Sequence, residues 1–346
     1  MEDNKLTLVL PISVLITLCL SALSSEVKAT TFTMLNKCDY TVWPGILTNA
    51  GVNPLPVTGF ALRTGESKTI TAPTAWAGRF WGRTLCGQDS AGKFSCVTGD
   101  CGSGKLECAG SGAIPPATLA EFTLHGAGGL DFFDVSLVDG YNLPITVVPQ
   151  GGSGENCTVT GCVGDLNGSC PSELRVMSAD GKRDVACKSA CDAFALPQYC
   201  CDGTYASPET CKPSSYSKVF KSACPRAYSY AYDDKTSTFT CASADYTITF
   251  CPSPDTITNT NPSGKKSWEG QNSNSDSNGS SSSSSSSSSS TPTSPQVSKG
   301  GMVYVGALDQ SEIPWSGCTH LRESQSIAAL ITIIMAIWHL RQILFY

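Results

Sequence analysis

Between residues 30 and 253 the chain carries one histidine, His125. A Ser-His-Asp or Cys-His arrangement would depend on that single imidazole, because the nucleophile needs a base beside it. His125 is read as a structural or surface residue, and the candidate chemistry passes to carboxylates. Glu121 stands in Ala120-Glu-Phe-Thr-Leu, with Ala120, Phe122 and Leu124 on the opposite face of an apolar strand. Asp134 opens the strand 135–138 in the same way. A carboxylate in such a setting lies either on a solvated outer face or in the wall of a cleft. Asp134 and Asp139 are an odd number of residues apart, so a straight strand would point them to opposite faces. Asp139-Gly140 is a turn signal that could bring both toward one cleft. Crowded carboxylates repel, so one of them takes up a proton or finds a cation. Two carboxyls with pKa values pushed apart are what glycoside hydrolysis uses. The same groups, unreactive, accept hydrogen bonds from sugar hydroxyls.

The elements that must position these residues are bounded by the composition. The chain has 346 residues, 18 cysteines, three histidines and a net charge of −6. The acidic balance argues against a nucleic-acid partner, which needs a basic face. No metal or cofactor is expected. The N-terminus carries an apolar run, residues 6–23, and then Val27-Lys28-Ala29, which reads as a signal peptide (1–29) cut near Ala29. Removing that leader and the far end leaves residues 30–253. This core holds 16 cysteines, an even number that allows eight disulfides, and 16 basic against 20 acidic side chains, a balance of −4. Such cysteine usage fits an oxidising compartment.

Residues 254–316 are rich in Ser, Thr, Asn and Pro, including an unbroken serine run over 280–290. They read as a disordered tether. Residues 317–346 follow Ser316, with small Gly317 and Cys318, a polar spacer and a twelve-residue apolar run over 327–338. That order is the signal for a glycolipid (GPI) anchor attached at Ser316. A spanning helix would need about 20 apolar residues. His339 and Arg341 interrupt the count here and also depart from the usual uncharged anchor tail. A spanning segment and a plain secreted tail are the alternatives. Asn156, Asn167 and Asn278 are N-glycosylation candidates.

Within the core, residues 31–36, 40–43, 67–72, 78–84, 120–124, 133–138 and 246–250 alternate as strands do, with Asn36-Lys37 and Pro44-Gly45 as breaks. Many short strands suggest a sandwich or barrel. The pattern fails from about 156 to 226, where cysteines crowd and one short helix is expected within 188–196. That stretch reads as a disulfide-held insertion before the final strand.

One string is more specific than any of these patterns. Residues 92–108 read Gly-Lys-Phe-Ser-Cys-Val-Thr-Gly-Asp-Cys-Gly-Ser-Gly-Lys-Leu-Glu-Cys, and this resembles the signature of the thaumatin-like family. Thr118-Leu-Ala-Glu-Phe-Thr-Leu, the stretch 134–144, Tyr228-Ser-Tyr-Ala-Tyr-Asp and the adjacent Cys200-Cys201 are similar to family motifs as well. The resemblance covers residues 30–253 and none of the tether. It implies a mainly β fold: a flattened β-sandwich with an inserted, disulfide-rich, partly helical domain. It also implies eight pairs: Cys38–Cys251, Cys86–Cys96, Cys101–Cys108, Cys157–Cys241, Cys162–Cys224, Cys170–Cys187, Cys191–Cys200 and Cys201–Cys211.

The resemblance further implies an interdomain cleft lined by Arg83, Glu121, Asp134, Asp139 and Asp233. Arg83 would be the cation beside the acidic groups. The implied role is a monomeric, extracellular, defence-type protein that binds β-1,3-glucan or a related cell-wall polysaccharide. It would sit on the outer face of the plasma membrane, or in the apoplast and cell wall if no lipid is added. A weak endo-β-1,3-glucanase, with Glu121 as acid and Asp134 as its partner, is the alternative; inhibition of foreign hydrolases is a third. The net charge of −4 departs from the basic sweet and membrane-active members, which puts both of those activities in doubt.

Overall fold

The computed structural model describes residues 29–253. The leader, the tether with Asn278 and the tail with Ser316 lie outside the described residues.

Alternation builds the strands. β1 (Thr30–Asn36) buries Phe32, Met34 and Asn36 and leaves the residues between them half-buried. It pairs antiparallel with β3 (Ser67–Ala72) and parallel with the long last strand β12 (Phe239–Phe250). β8 (Ile145–Ser153) lies on the other side of β12, and short β9 (Thr160–Gly161) follows it. The second layer runs in the order β2 (Trp43–Thr48), β4 (Ala77–Gln88), β6 (Leu119–Thr123), β7 (Asp131–Ser136), all antiparallel. The first residues of β12 continue it, pairing with β7 before the strand crosses to β1 and β8. Ser243, at φ +57°, lies within β12 between its pairing with β7 and its pairing with β1. The layers therefore form a flattened sandwich joined through one strand. β5 (Phe94–Thr98) folds back on the end of β4.

Aromatic side chains fill the space between the layers. Phe32 meets Phe122 at 4.7 Å and Phe80 at 4.8 Å between ring centroids, and Tyr246 lies 5.1 Å from both Phe122 and Phe133. Each such pair adds about 0.5–1.5 kcal/mol beyond the area it buries.

Pro44-Gly45 is not the break expected from the sequence. The strand expected over 40–43 runs instead from Trp43 to Thr48, through both residues. β2 ends the sheet order, where a missing N–H is tolerated. Gly45 lets the Trp81 indole lie against the backbone, since a Cβ there would come within 2.4 Å of that ring.

The insertion has little regular structure, as its composition implied. It contains a hairpin of β10 (Arg175–Met177) and β11 (Asp184–Cys187), and three short helices: α1 (Ala190–Phe194), α2 (Pro197–Cys200) and α3 (Ser215–Ala223). The helix expected over 188–196 is α1, capped by Ser189, whose side chain accepts from the Asp192 N–H. One further turn, α4 (Asp234–Ser237), precedes β12. Eight disulfides are present, with the partners that the resemblance implied. Four of them, Cys162–Cys224, Cys170–Cys187, Cys191–Cys200 and Cys201–Cys211, lie within the insertion.

Candidate functional site

Phe80, Phe122, Phe133 and Val135 point into the core, so the residues alternating with them point out. On that outer face Arg79 of β4 lies opposite Glu121 of β6, and Glu121 lies opposite Asp134 of β7. Directly opposed strand residues have Cβ atoms about 4.5–5.5 Å apart. The three side chains thus form one row across three strands. Arg79 Nε stands 3.5 Å from Glu121 Oε1, with both side chains about a fifth exposed (18% and 19%).

The cation of the row is Arg79, not Arg83. Arg83 lies on the same face of β4 but four residues further on, about 13 Å along the strand. There the loop closed by Cys101–Cys108 covers it, and it is fully buried. Its guanidinium donates to the carbonyls of Trp43 (3.0 Å), Pro44 (3.3 Å) and Leu106 (2.6 Å). Burial lowers its pKa to about 10, partly offset by Asp100 and Glu107. Arg83 is a clamp between β2 and the covering loop, and it touches none of the four carboxylates.

Asp233 is engaged by other partners, and among the described residues no hydrogen bond or ion pair joins it to the row. Its carboxylate takes Lys221 Nζ at 2.9 Å, the Ser229 N–H and hydroxyl at 3.1 and 2.9 Å, and the Thr236 hydroxyl at 3.1 Å. Those bonds hold the segment before α4. The next residue, Asp234, accepts from the Tyr228 hydroxyl at 2.8 Å and adds negative charge near Asp134. Asp139 joins the row from the turn after β7, where its carbonyl accepts from the Ala117 N–H at 3.0 Å and Gly140 adopts φ +87°. Asp192 of α1, ion-paired with Lys188 at 3.8 Å, brings a further charge toward Asp139. Sequence reasoning missed Arg79, Asp192 and Asp234. Neither the strand register nor the packing of the insertion can be read from spacing.

The electrostatics separate the members of the row. Burial raises the Asp134 carboxyl well above the usual carboxylate range; the charge of Glu121 raises it further, Arg79 offsets part of this, and Asp234 adds to it. Its Oδ2 is buried with no hydrogen-bond partner. Glu121 is raised by burial, drawn down by Arg79 and raised by Asp139. Asp139 is raised by burial, drawn down by Arg79 and raised by Asp192. Arg79 is ion-paired to Glu121, which favours the charge on Glu121 and a proton on Asp134. This ordering favours Asp134, rather than Glu121, as a proton donor. The row then offers a guanidinium donor, a carboxylate acceptor and a neutral carboxyl.

Beside it the insertion contributes an aromatic cluster, with Phe194, Tyr199 and Tyr216 at 5.3–5.9 Å between centroids. A cavity of about 30 Å³, lined by Val138, Ser189, Tyr199, Tyr216, Ser229 and Tyr230 among others, links that cluster to the turn holding Asp139.

The profile of the Thaumatin family matches residues 36–252. A PR5-like receptor kinase of Arabidopsis thaliana is 56% identical over 219 residues, 63% of this chain and 33% of the kinase, so the chain spans a third of that relative's length. Pathogenesis-related thaumatin-like protein 3.5 of Cryptomeria japonica is 58% identical over 218 residues, 63% of this chain and 88% of that protein. Thaumatin-like protein 1 of Arabidopsis thaliana is 59% identical over 218 residues, 61% of this chain and 82% of its own. A buried aromatic sandwich, eight disulfides and a profile match over most of the described core converge: the chain belongs to the thaumatin family.

Proposed function

We propose that this is an extracellular, defence-type protein that binds β-1,3-glucan or a related cell-wall polysaccharide along the row Arg79–Glu121–Asp134. The row itself carries the reading. Three groups that differ in hydrogen-bonding character stand one strand apart in a row whose Arg79 and Glu121 side chains are each about a fifth exposed, and sugar hydroxyls need both donors and acceptors. Charge-assisted hydrogen bonds of this kind contribute about 1.5–3 kcal/mol each. The aromatic faces of the insertion supply stacking surface next to them.

The test is a pull-down on insoluble β-1,3-glucan, with soluble sugar measured in the same tube. The wild-type core should be retained, and Glu121→Gln should weaken retention about tenfold or more, the equivalent of 1.4 kcal/mol. Unchanged retention in that variant would move the site off the row.

Hydrolysis is the second reading, and the contrast between Asp134 and Glu121 is what favours it. Asp134 would protonate the leaving oxygen, and Glu121, held ionised by Arg79, would attack the sugar. Their opposed positions in the register would suit the short carboxyl spacing of retaining glycosidases better than the wider one that admits a water. Sugar release that disappears in both Asp134→Asn and Glu121→Gln would establish it; retention without release leaves binding alone.

For the residues outside the described core, we infer attachment to the outer leaflet through a glycolipid at Ser316, with 254–316 as tether. No helix among the described residues is long and apolar enough to cross a membrane. A phospholipase specific for such anchors should release the protein from membranes. Recovery of a mature C-terminal peptide containing Trp338 would sink the idea.

A further inference from the structure

Two of the three glycosylation sequons fall within the described residues, and the fold treats them differently. Asn167 follows Cys162 and precedes Cys170, in a loop pinned by Cys162–Cys224 and Cys170–Cys187. Its Nδ2 donates to the backbone carbonyl of Asn142 at 3.1 Å, and its Oδ1 is buried. Asn142 is itself buried: it donates to Gly82 O (2.8 Å) and Thr98 Oγ1 (2.9 Å) and accepts from the Thr118 N–H (3.0 Å). A sugar on Asn167 Nδ2 would be directed at that carbonyl, and making room for it would pull the loop off the sandwich.

Asn156 lies in the turn between β8 and β9 and is exposed, and among the described residues no hydrogen bond holds its side chain. Cys157 beside it is tied to Cys241, so the turn is fixed while the amide points free. The turn also adjoins an open edge. β9 covers β8 only at Thr146 and Val147. Among the described residues, no strand pairs with the outer edge of β8 from Val148 to Ser153, and the end of that edge is exposed. An uncovered edge invites pairing with another chain.

We propose that the folded core carries an N-linked glycan on Asn156 and none on Asn167, and that this glycan screens the open edge of β8. The reading rests on passage through the secretory pathway, as proposed above. There an oligosaccharide carried on a lipid pyrophosphate is the donor. The Asn156 Nδ2 forms a bond to the sugar's anomeric carbon and gives up a proton. The carbon–oxygen bond to the pyrophosphate breaks, and the lipid pyrophosphate leaves with that electron pair.

The experiment is secretion of the full chain from a eukaryotic host, followed by peptide mapping after enzymatic deglycosylation in heavy-oxygen water, which marks each formerly modified asparagine. The expected result is label on Asn156 and not on Asn167. Asn156→Gln should lose one glycan from the core and Asn167→Gln none. Label on Asn167 in material with all eight disulfides would overturn the proposal, as would an unmodified Asn156 in secreted, fully disulfide-bonded protein. A chain kept inside the cell with reduced cysteines would instead overturn the secretory reading and this site with it. Light scattering then tests the screening role: the secreted Asn156→Gln protein should self-associate more than wild type, and a monomeric variant at the same concentration would remove that role.

Discussion

A core in which Cys38 and Cys251 are both changed to Ser is expected to lose about 5 kcal/mol of stability, taking the loop-closure entropy of a bridge this long. The two residues are 213 apart in sequence, the longest separation of the eight bridges. Other bridges shorten the effective loop, but the dependence is logarithmic, so the estimate hardly moves. The loss is comparable to the whole net stability of an ordinary domain, about 5–15 kcal/mol. At about 2–4 °C per kcal/mol for a core of this size, the unfolding midpoint should fall by about 10–20 °C. Thermal unfolding of wild type and double variant under non-reducing conditions measures it. A fall of only one or two degrees would mean that the unfolded chain, still held by seven bridges, already keeps its ends together.

Asp134→Asn should raise stability at pH 7 and flatten its dependence on pH. The folded-state pKa values of Asp134, Glu121 and Asp139 lie above their ordinary values, chiefly because the groups are buried. Between the ordinary carboxylate range near 4 and those raised values, the folded state binds more protons than the unfolded one. Stability then falls as pH rises, by up to about 1.4 kcal/mol per pH unit for each extra proton. The wild-type core should accordingly be more stable at pH 4 than at pH 7, the opposite of ordinary acid denaturation. Three exposed carboxylates with lowered values, Glu173, Asp180 and Glu209, act in the other direction but are screened by solvent. Asparagine mimics the protonated acid and carries no charge to bury, so the variant should lose the part of the slope that Asp134 contributes, the largest single share. Midpoints measured at pH 4, 5.5 and 7 decide the matter. A wild-type maximum at pH 7, with no gain in Asp134→Asn, would mean that the row is fully ionised and hydrated.

The strands that alternate cleanly were legible, and so were the two carboxylates they carry. Glu121 and Asp134 follow from a period of two with large apolar neighbours on the other face. What failed depends on register and covering. Arg79 and Arg83 share one face of β4, and periodicity cannot say which of them meets Glu121. The loop over Trp81 and Arg83 decides it, by burying one and leaving the other at the row. Asp233 and Asp234 are adjacent, and only the turn leading into α4 assigns one to Lys221 and the other to the neighbourhood of Asp134. β8 went unread because Ile145-Thr-Val-Val lacks alternation and meets Pro149 and two glycines within the strand. Spacing could not give the disulfide partners; the resemblance did.

The place of β12 in the sandwich has a consequence for biosynthesis. This strand pairs with β1 at the start of the core, with β7, and with β8, yet among the described residues it is the last of the twelve strands to leave the ribosome. Until it emerges, β1 lacks its parallel partner and the outer edge of β7 stands uncovered. The two layers therefore cannot close vectorially as the chain grows, and the aromatic residues meant for the interior wait exposed until residue 250 of 346 has been made and has emerged. Pairings this distant in sequence also form slowly once they become possible. A protein so connected spends its most vulnerable interval before this strand emerges, when unpaired edges and reduced cysteines coexist. Its yield in a cell is then governed by how long folding assistants hold the nascent chain before the final strand arrives.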